Sequence, residues 1–140
     1  MRDKLIYLAG GITGLTDTEI HEWRDKIKDV LETVSGYRVV CCNPANHIPL
    51  KVTPAVEREM FEWDLWKVKQ SDIVVCDFDH PQSIGTTWEL AVARENGIPI
   101  VGLNLKDTPV HPWWLMSAMH ISRSIDELYD YLCTNFLNDD

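Results

Sequence analysis

Apolar and polar positions along the chain change period several times, and each change marks an element. Leu5 to Ala9 form a continuous apolar run that stops at Gly10-Gly11, the pattern of a buried parallel strand and its turn. The period then becomes helical: Ile20, Trp23, Ile27, Val30, Leu31 and Val34 recur on one face. This stretch opens with a Thr16-x-x-Glu19 capping box and closes at Gly36. A second strand is expected over "YRVVCC", residues 37–42, ended by Asn43-Pro44. After a loop containing Pro49, Thr53 is placed to cap a helix with Pro54 in its first turn, running to about Gln70.

"DIVVCDF" (residues 72–78) predicts a third strand, "GTTWELAVAREN" a third helix closed by Gly97, and "IPIVGLN" a fourth strand. "HPWWLMSAMHIS" predicts a short helix running into a small strand, and Ser124-x-x-Glu127 caps a terminal helix. No repeat, low-complexity linker or shift in composition divides residues 1–140. Strands alternating with crossover helices predict a single-domain α/β fold. The expected form is a doubly wound, Rossmann- or flavodoxin-like parallel sheet of four to five strands with helices on both faces. Ligands of such sheets bind beyond the carboxyl ends of the strands. Gly10, Gly11, Ile12, Thr13 and Gly14 follow the first strand there; Asp77, Asp79, His80, Gln82, Ser83 and Gly85 follow the third, and Glu89 stands on the next helix.

Composition narrows the partners. The 140 residues are 45% hydrophobic, enough for one ordinary core. Thirteen basic residues against 22 acidic ones leave a formal charge of -9, which disfavours nucleic acid polymers and anionic membranes as partners. A small phosphorylated ligand stays compatible with that field, since backbone N–H groups act locally. The first residues lack the apolar run of a signal peptide and no stretch is long enough to span a membrane, so a cytoplasmic location is expected. Cys41, Cys42, Cys76 and Cys133 lie in apolar contexts without a C-x-x-C pair and are expected to be reduced. The five histidines lack metal-ligand spacing, and no metal or cofactor is expected.

Each candidate carries a structural alternative. Glu89 is either a first-turn glutamate favoured by the helix dipole or an anion held in a pocket. Asp64, in mid-helix between Trp63 and Leu65, is an exposed-face residue or a second working acid. Glu59, Glu62 and Asp72 are expected to be surface acids. Tyr7 suits a core position with a satisfied hydroxyl. Ser83 and Thr86 suit a helix cap or the contact for a phosphate or sugar hydroxyl. Trp63, Trp66, Trp88, Trp113 and Trp114 are expected mainly in the core, with one or two available to stack on a planar base. Gly10, Gly11 and Gly14 give a tight turn matching neither G-x-G-x-x-G nor a Walker loop.

Taken together, "IYLAGGITG", "DLWKVKQSDIVV", "SIGTTWELAVA" and, more weakly, "LMSAM" resemble the nucleoside 2-deoxyribosyltransferase family, which includes nucleoside 5'-monophosphate N-glycosidases. The resemblance implies an enzyme acting on the N-glycosidic bond of a nucleoside or nucleotide. The expected reaction is 2-deoxyribosyl transfer between nucleobases, with monophosphate hydrolysis as the alternative and non-catalytic nucleotide binding as the competitor of another class. It implies that Glu89 attacks C1', that Asp64 binds the base and protonates it, and that Tyr7 orients the nucleophile. Gly10, Gly11, Thr13, Ser83, Gly85 and Ser117 would contact substrate, and a homo-oligomer would complete its sites across an interface, with the "HPWWLM" segment a candidate contact surface.

Two carboxyls suit such chemistry when one is ionised beneath C1' and the other holds a proton for the departing base. Unequal desolvation is expected to separate them in that direction. The chain also departs from the family pattern. Ser83 stands where monophosphate hydrolases place a serine, yet Gly11 and Thr13 replace their serine and arginine, losing a bidentate phosphate contact. Thr87 replaces the motif's second glycine, where its branched side chain is expected to narrow the pocket floor or alter the helix start.

Overall fold

The computed structural model describes residues 3–47, 53–81 and 83–138; Pro49 and Gln82 lie outside the described residues. Five strands form one parallel sheet: β1 (Lys4–Ala9), β2 (Val39–Cys42), β3 (Ile73–Asp77), β4 (Ile100–Leu103) and β5 (His120–Ser122). Their spatial order is β2-β1-β3-β4-β5. The order reverses between β1 and β3, which pair in parallel with Tyr7 opposite Val74. This is the crevice position where doubly wound sheets take ligands. The helices are α1 (Asp17–Asp29), α2 (Pro54–Gln70), α3 (Ile84–Glu95), α4 (Pro112–Ser117) and α5 (Ile125–Leu132).

The capping chemistry legible in the sequence is made. Thr16 and Glu19 exchange both hydrogen bonds of the capping box. Thr53, Ser83 and Ser124 each accept a backbone N–H in the first turn of their helix. The helical stretch beginning at Asp17 does not stay regular to Gly36. Over Val30–Val34 it widens into a π turn, with Ser35 N–H donating to the Val30 carbonyl at 2.9 Å. The wider turn rotates Val34 out of the apolar stripe, and it is exposed.

Alternation along the strands separates two cores. Ile6 and Leu8 of β1 pack with Trp23, Ile27 and Leu31 of the α1 stretch and Leu128 and Leu132 of α5. Tyr7 and Ala9 point to the other face, with Val68 of α2, Leu90 and Ala93 of α3 and Trp114 of α4. Burial of β1 on both faces explains its unbroken apolar run. The tryptophans depart from the core expectation: Trp114 is buried and Trp63 half-buried, but Trp66, Trp88 and Trp113 are exposed. They lie on outward faces of α2, α3 and α4, where more than half of each side chain is exposed. Asp72 also exceeds a surface role, since its carboxylate accepts the Leu5 N–H at 2.8 Å and ties the start of β3 to β1.

Candidate functional site

Because β1 alternates, Tyr7 projects into the layer that holds α2 and α3, the helices carrying Asp64 and Glu89. The two helices pack together, and their acids line one cleft of about 1020 Å³ at the carboxyl ends of β1 and β3. Gly10, Gly11, Thr13, Ser83 and Gly85 line the same cleft, with His80, Thr86, Glu57 and Asp79. Tyr7 lies beneath it, fully buried. Ser117 does not line it: this residue ends α4 and its hydroxyl donates to the Trp114 carbonyl at 2.6 Å.

Glu89 is 7% exposed, which removes water from its carboxylate. Burial is the main cause pushing its pKa up to about 8; the Asp64 charge pushes the same way, while the Tyr7 hydroxyl and Arg24 oppose it. Asp64, less deeply buried, is pushed to about 6 by desolvation. The Tyr7 phenol is held well above its ordinary value by burial and then by Glu89 and Asp64, so it remains protonated. Its hydroxyl adjoins Glu89 and favours the ionised carboxylate, but it makes no hydrogen bond of standard geometry with any described group. The order of the two carboxyls reverses the sequence expectation. Glu89, expected to be ionised, is the more basic because it is the more deeply buried.

The cleft walls are firmly braced. Ser83 Oγ accepts from both the backbone N–H and the hydroxyl of Thr86, at 3.1 and 2.8 Å, so it caps α3 while facing the cleft. His80 spans two elements, with Nδ1 2.8 Å from Asp77 and Nε2 3.2 Å from Glu19. Asp79 accepts the N–H groups of Leu105 and Lys106 and the Thr108 hydroxyl, joining the loop after β3 to the loop after β4. Thr87 does not narrow the floor, since it lies outside the cleft lining. Its hydroxyl donates to the Ser83 carbonyl at 3.0 Å and accepts the Trp114 indole N–H at 3.1 Å, linking α3 to α4.

Arg24 is the residue most easily passed over in the sequence. Its charge sits within the apolar stripe between Ile20 and Ile27, the one available signal, and it is fully buried. Glu57, Thr108 and Pro109 also line the cleft without a sequence signal. Among the described residues no group of three or more His, Cys, Asp or Glu side chains is placed to hold a metal ion. No described helix is long and apolar enough to cross a membrane. The four cysteines form no disulfide, and burial raises Cys41 and Cys42 to about 12 and about 11.

The fold recurs in solved structures. A 2-deoxyribosyltransferase from Bacillus psychrosaccharolyticus superposes with a TM-score of 0.72 at 18% identity, over 91% of each chain. A conserved protein from Enterococcus faecalis V583 gives 0.76 at 16% identity, over 96% of this chain and 99% of its own. The CMP N-glycosidase BcmB of Clostridium botulinum gives 0.55 at 16% identity, over 94% and 99%. No curated protein sequence matches the chain. The model of the family described as "Nucleoside 2-deoxyribosyltransferase like" matches residues 3–106, most of the sheet and both acid-bearing helices, and the chain belongs to that family.

Proposed function

We propose that the protein transfers a 2-deoxyribosyl group between nucleobases by double displacement at Glu89. The observation carrying this is the meeting of Asp64 and Glu89, from separate helices, in one cleft with Tyr7 beneath the second acid. An ionised Glu89 oxygen bonds to C1' as the C1'–N bond breaks, and the bond pair goes to the base. Asp64 gives its proton to the departing base, which leaves neutral. The glycosyl ester is then attacked at C1' by the ring nitrogen of a second base, whose proton Asp64 takes as Glu89 is released. Tyr7, protonated throughout, orients the carboxylate that it adjoins.

The competent form carries its proton on Asp64 and its charge on Glu89, the reverse of the ground-state order. Because Glu89 is the more basic of the two, that arrangement is the minor form of the singly protonated site. Such a minor form still supports turnover, with its scarcity appearing in kcat. A base bound against Asp64 as a proton acceptor increases its share.

The cleft favours a free nucleoside over a 5'-monophosphate. Glu57, Asp64 and Asp79 line it, and a phosphate entering among them meets like charge. The outward apolar side chains of Ile84, Trp88, Trp113 and Met116, each more than half exposed, support self-association through α3 and α4, with Ser117 then close to a neighbouring copy.

Deoxynucleosides and their 5'-monophosphates, each with and without a free acceptor base, test the proposal by chromatography of the bases. Base exchange by the native chain and none by Glu89→Gln is the expected result. Release of base without incorporation of the acceptor makes the enzyme a hydrolase, and survival of every substrate at high enzyme concentration overturns the activity.

A further inference from the structure

Arg24 lies outside the roles assigned above, yet it is the largest fully buried side chain in the described structure. All three of its nitrogens donate to backbone carbonyls: Nε to Leu8 at 3.3 Å, Nη1 to Ile20 at 2.6 Å and Nη2 to Gly10 at 3.0 Å. Its guanidinium carbon stands 4.7 Å from the centre of the Trp23 ring. None of these partners carries a negative charge, and among the described residues no contact ion pair neutralises the cation. A buried charge of this kind is costly unless anions compensate it.

The compensating groups lie beyond Gly10. That glycine lines the cleft and holds Arg24 through its carbonyl. A Cβ there would fall 2.8 Å from the Trp23 ring, 3.2 Å from Arg24 Nη2 and 3.2 Å from Asp77 Cβ. The missing side chain lets the guanidinium and the Asp77 side chain close on the same point of the cleft floor. Glu89 lines the cleft above it.

We infer that Arg24 is a positioning residue, a fixed buried cation that acts on the Glu89 carboxylate across the cleft floor while holding the Gly10 turn in place. The inference rests on Glu89 being the nucleophile. Charged and titratable groups meet here from every neighbouring element. Tyr7 comes from β1, Cys76 and Asp77 from β3, Asp64 from α2 and Glu89 from α3, with His80 on Asp77. Of these, Glu89 and then Asp77 act most strongly on Arg24. Arg24 works against the burial that drives Glu89 towards its neutral, unreactive form. A neutral donor of similar shape would hold the turn equally well but would leave Glu89 protonated to higher pH.

Arg24→Gln and Arg24→Lys separate charge from shape. The Glu89 carboxyl is followed by NMR in chain labelled with 13C-glutamate, a readout that needs no substrate and so stands apart from the proposed activity. Arg24→Lys should keep the Glu89 midpoint close to that of the native chain, and Arg24→Gln should move it upward. Turnover by Arg24→Gln on the plateau between the two limbs should fall about tenfold for each unit of displacement, and the alkaline limb should move up with the Glu89 midpoint. A folded Arg24→Gln with an unmoved Glu89 midpoint overturns the inference, as does equal loss of turnover by both variants at every pH. If Arg24→Gln does not fold, Arg24→Lys decides: a Glu89 midpoint that stays in place although donors to the Leu8, Ile20 and Gly10 carbonyls are lost supports the charge role, and an upward displacement makes Arg24 a scaffold donor alone.

Discussion

Replacing Glu89 by glutamine should stabilise the protein, by an amount that grows with pH. Glu89 titrates at about 8 in the folded chain against 4.5 for an unhindered glutamate. The folded state therefore holds this proton more tightly than the unfolded state does. As pH rises from about 4.5 to 8 the unfolded chain releases the proton first, so stability falls across that window and levels off above it. At ~1.36 kcal/mol per unit, burying the acid costs about 3 kcal/mol at pH 7 and about 5 kcal/mol above pH 9. Glutamine keeps the shape and carries no such penalty. Thermal and urea unfolding of both proteins at pH 4, 7 and 9 measure the difference, with a gain of about 10 °C in Tm expected at pH 7 for a chain of this size. The diagnostic is the widening of the gap with pH, because lost packing or hydrogen bonding would shift all three values equally. A constant gap, or a glutamine variant that is the less stable at pH 9, would refute the assignment of Glu89 as a desolvated carboxyl.

Three further outcomes are expected. Turnover should follow a bell with limbs at about pH 6 and about pH 8, since Asp64 must hold a proton while Glu89 has lost one, and a rate rising steadily past pH 9 would contradict the pairing. Gly10→Ala should cost about 1–3 kcal/mol by driving a methyl group to 2.8 Å from Trp23, read as a lowered Tm. Asp79→Ala should cost about 2 kcal/mol and speed amide exchange at Leu105 and Lys106, whose N–H groups lose their acceptor.

The sheet was legible because a strand buried on both faces has to be apolar throughout, as Leu5 to Ala9 and Ile73 to Cys76 are. The helices were legible through their caps, which need particular side chains at Thr16, Thr53, Ser83 and Ser124. Strand ends were less so: Tyr37, Arg38 and Ile98 look like strand residues but lie outside the ladder, where pairing partners decide rather than propensity. Glu89 and Asp64 stood out only in company with the motifs around them. How the carboxyls rank in basicity depends on depth of burial in the assembled cleft, which spacing along the chain does not encode. Arg24 was hidden for a related reason: charge within an apolar stripe reads as a local irregularity until the carbonyls of β1 and of the Gly10 turn come together around it.

The alternation of β1 has a consequence for how the chain can vary. Tyr7 meets the two acids because of parity: odd positions of the strand face one layer and even positions the other. Inserting or deleting one residue ahead of Tyr7 would swap the layers and dismantle the cleft while leaving every cleft side chain chemically intact. Substitution there is a graded change, whereas a shift of frame along the strand is all or nothing.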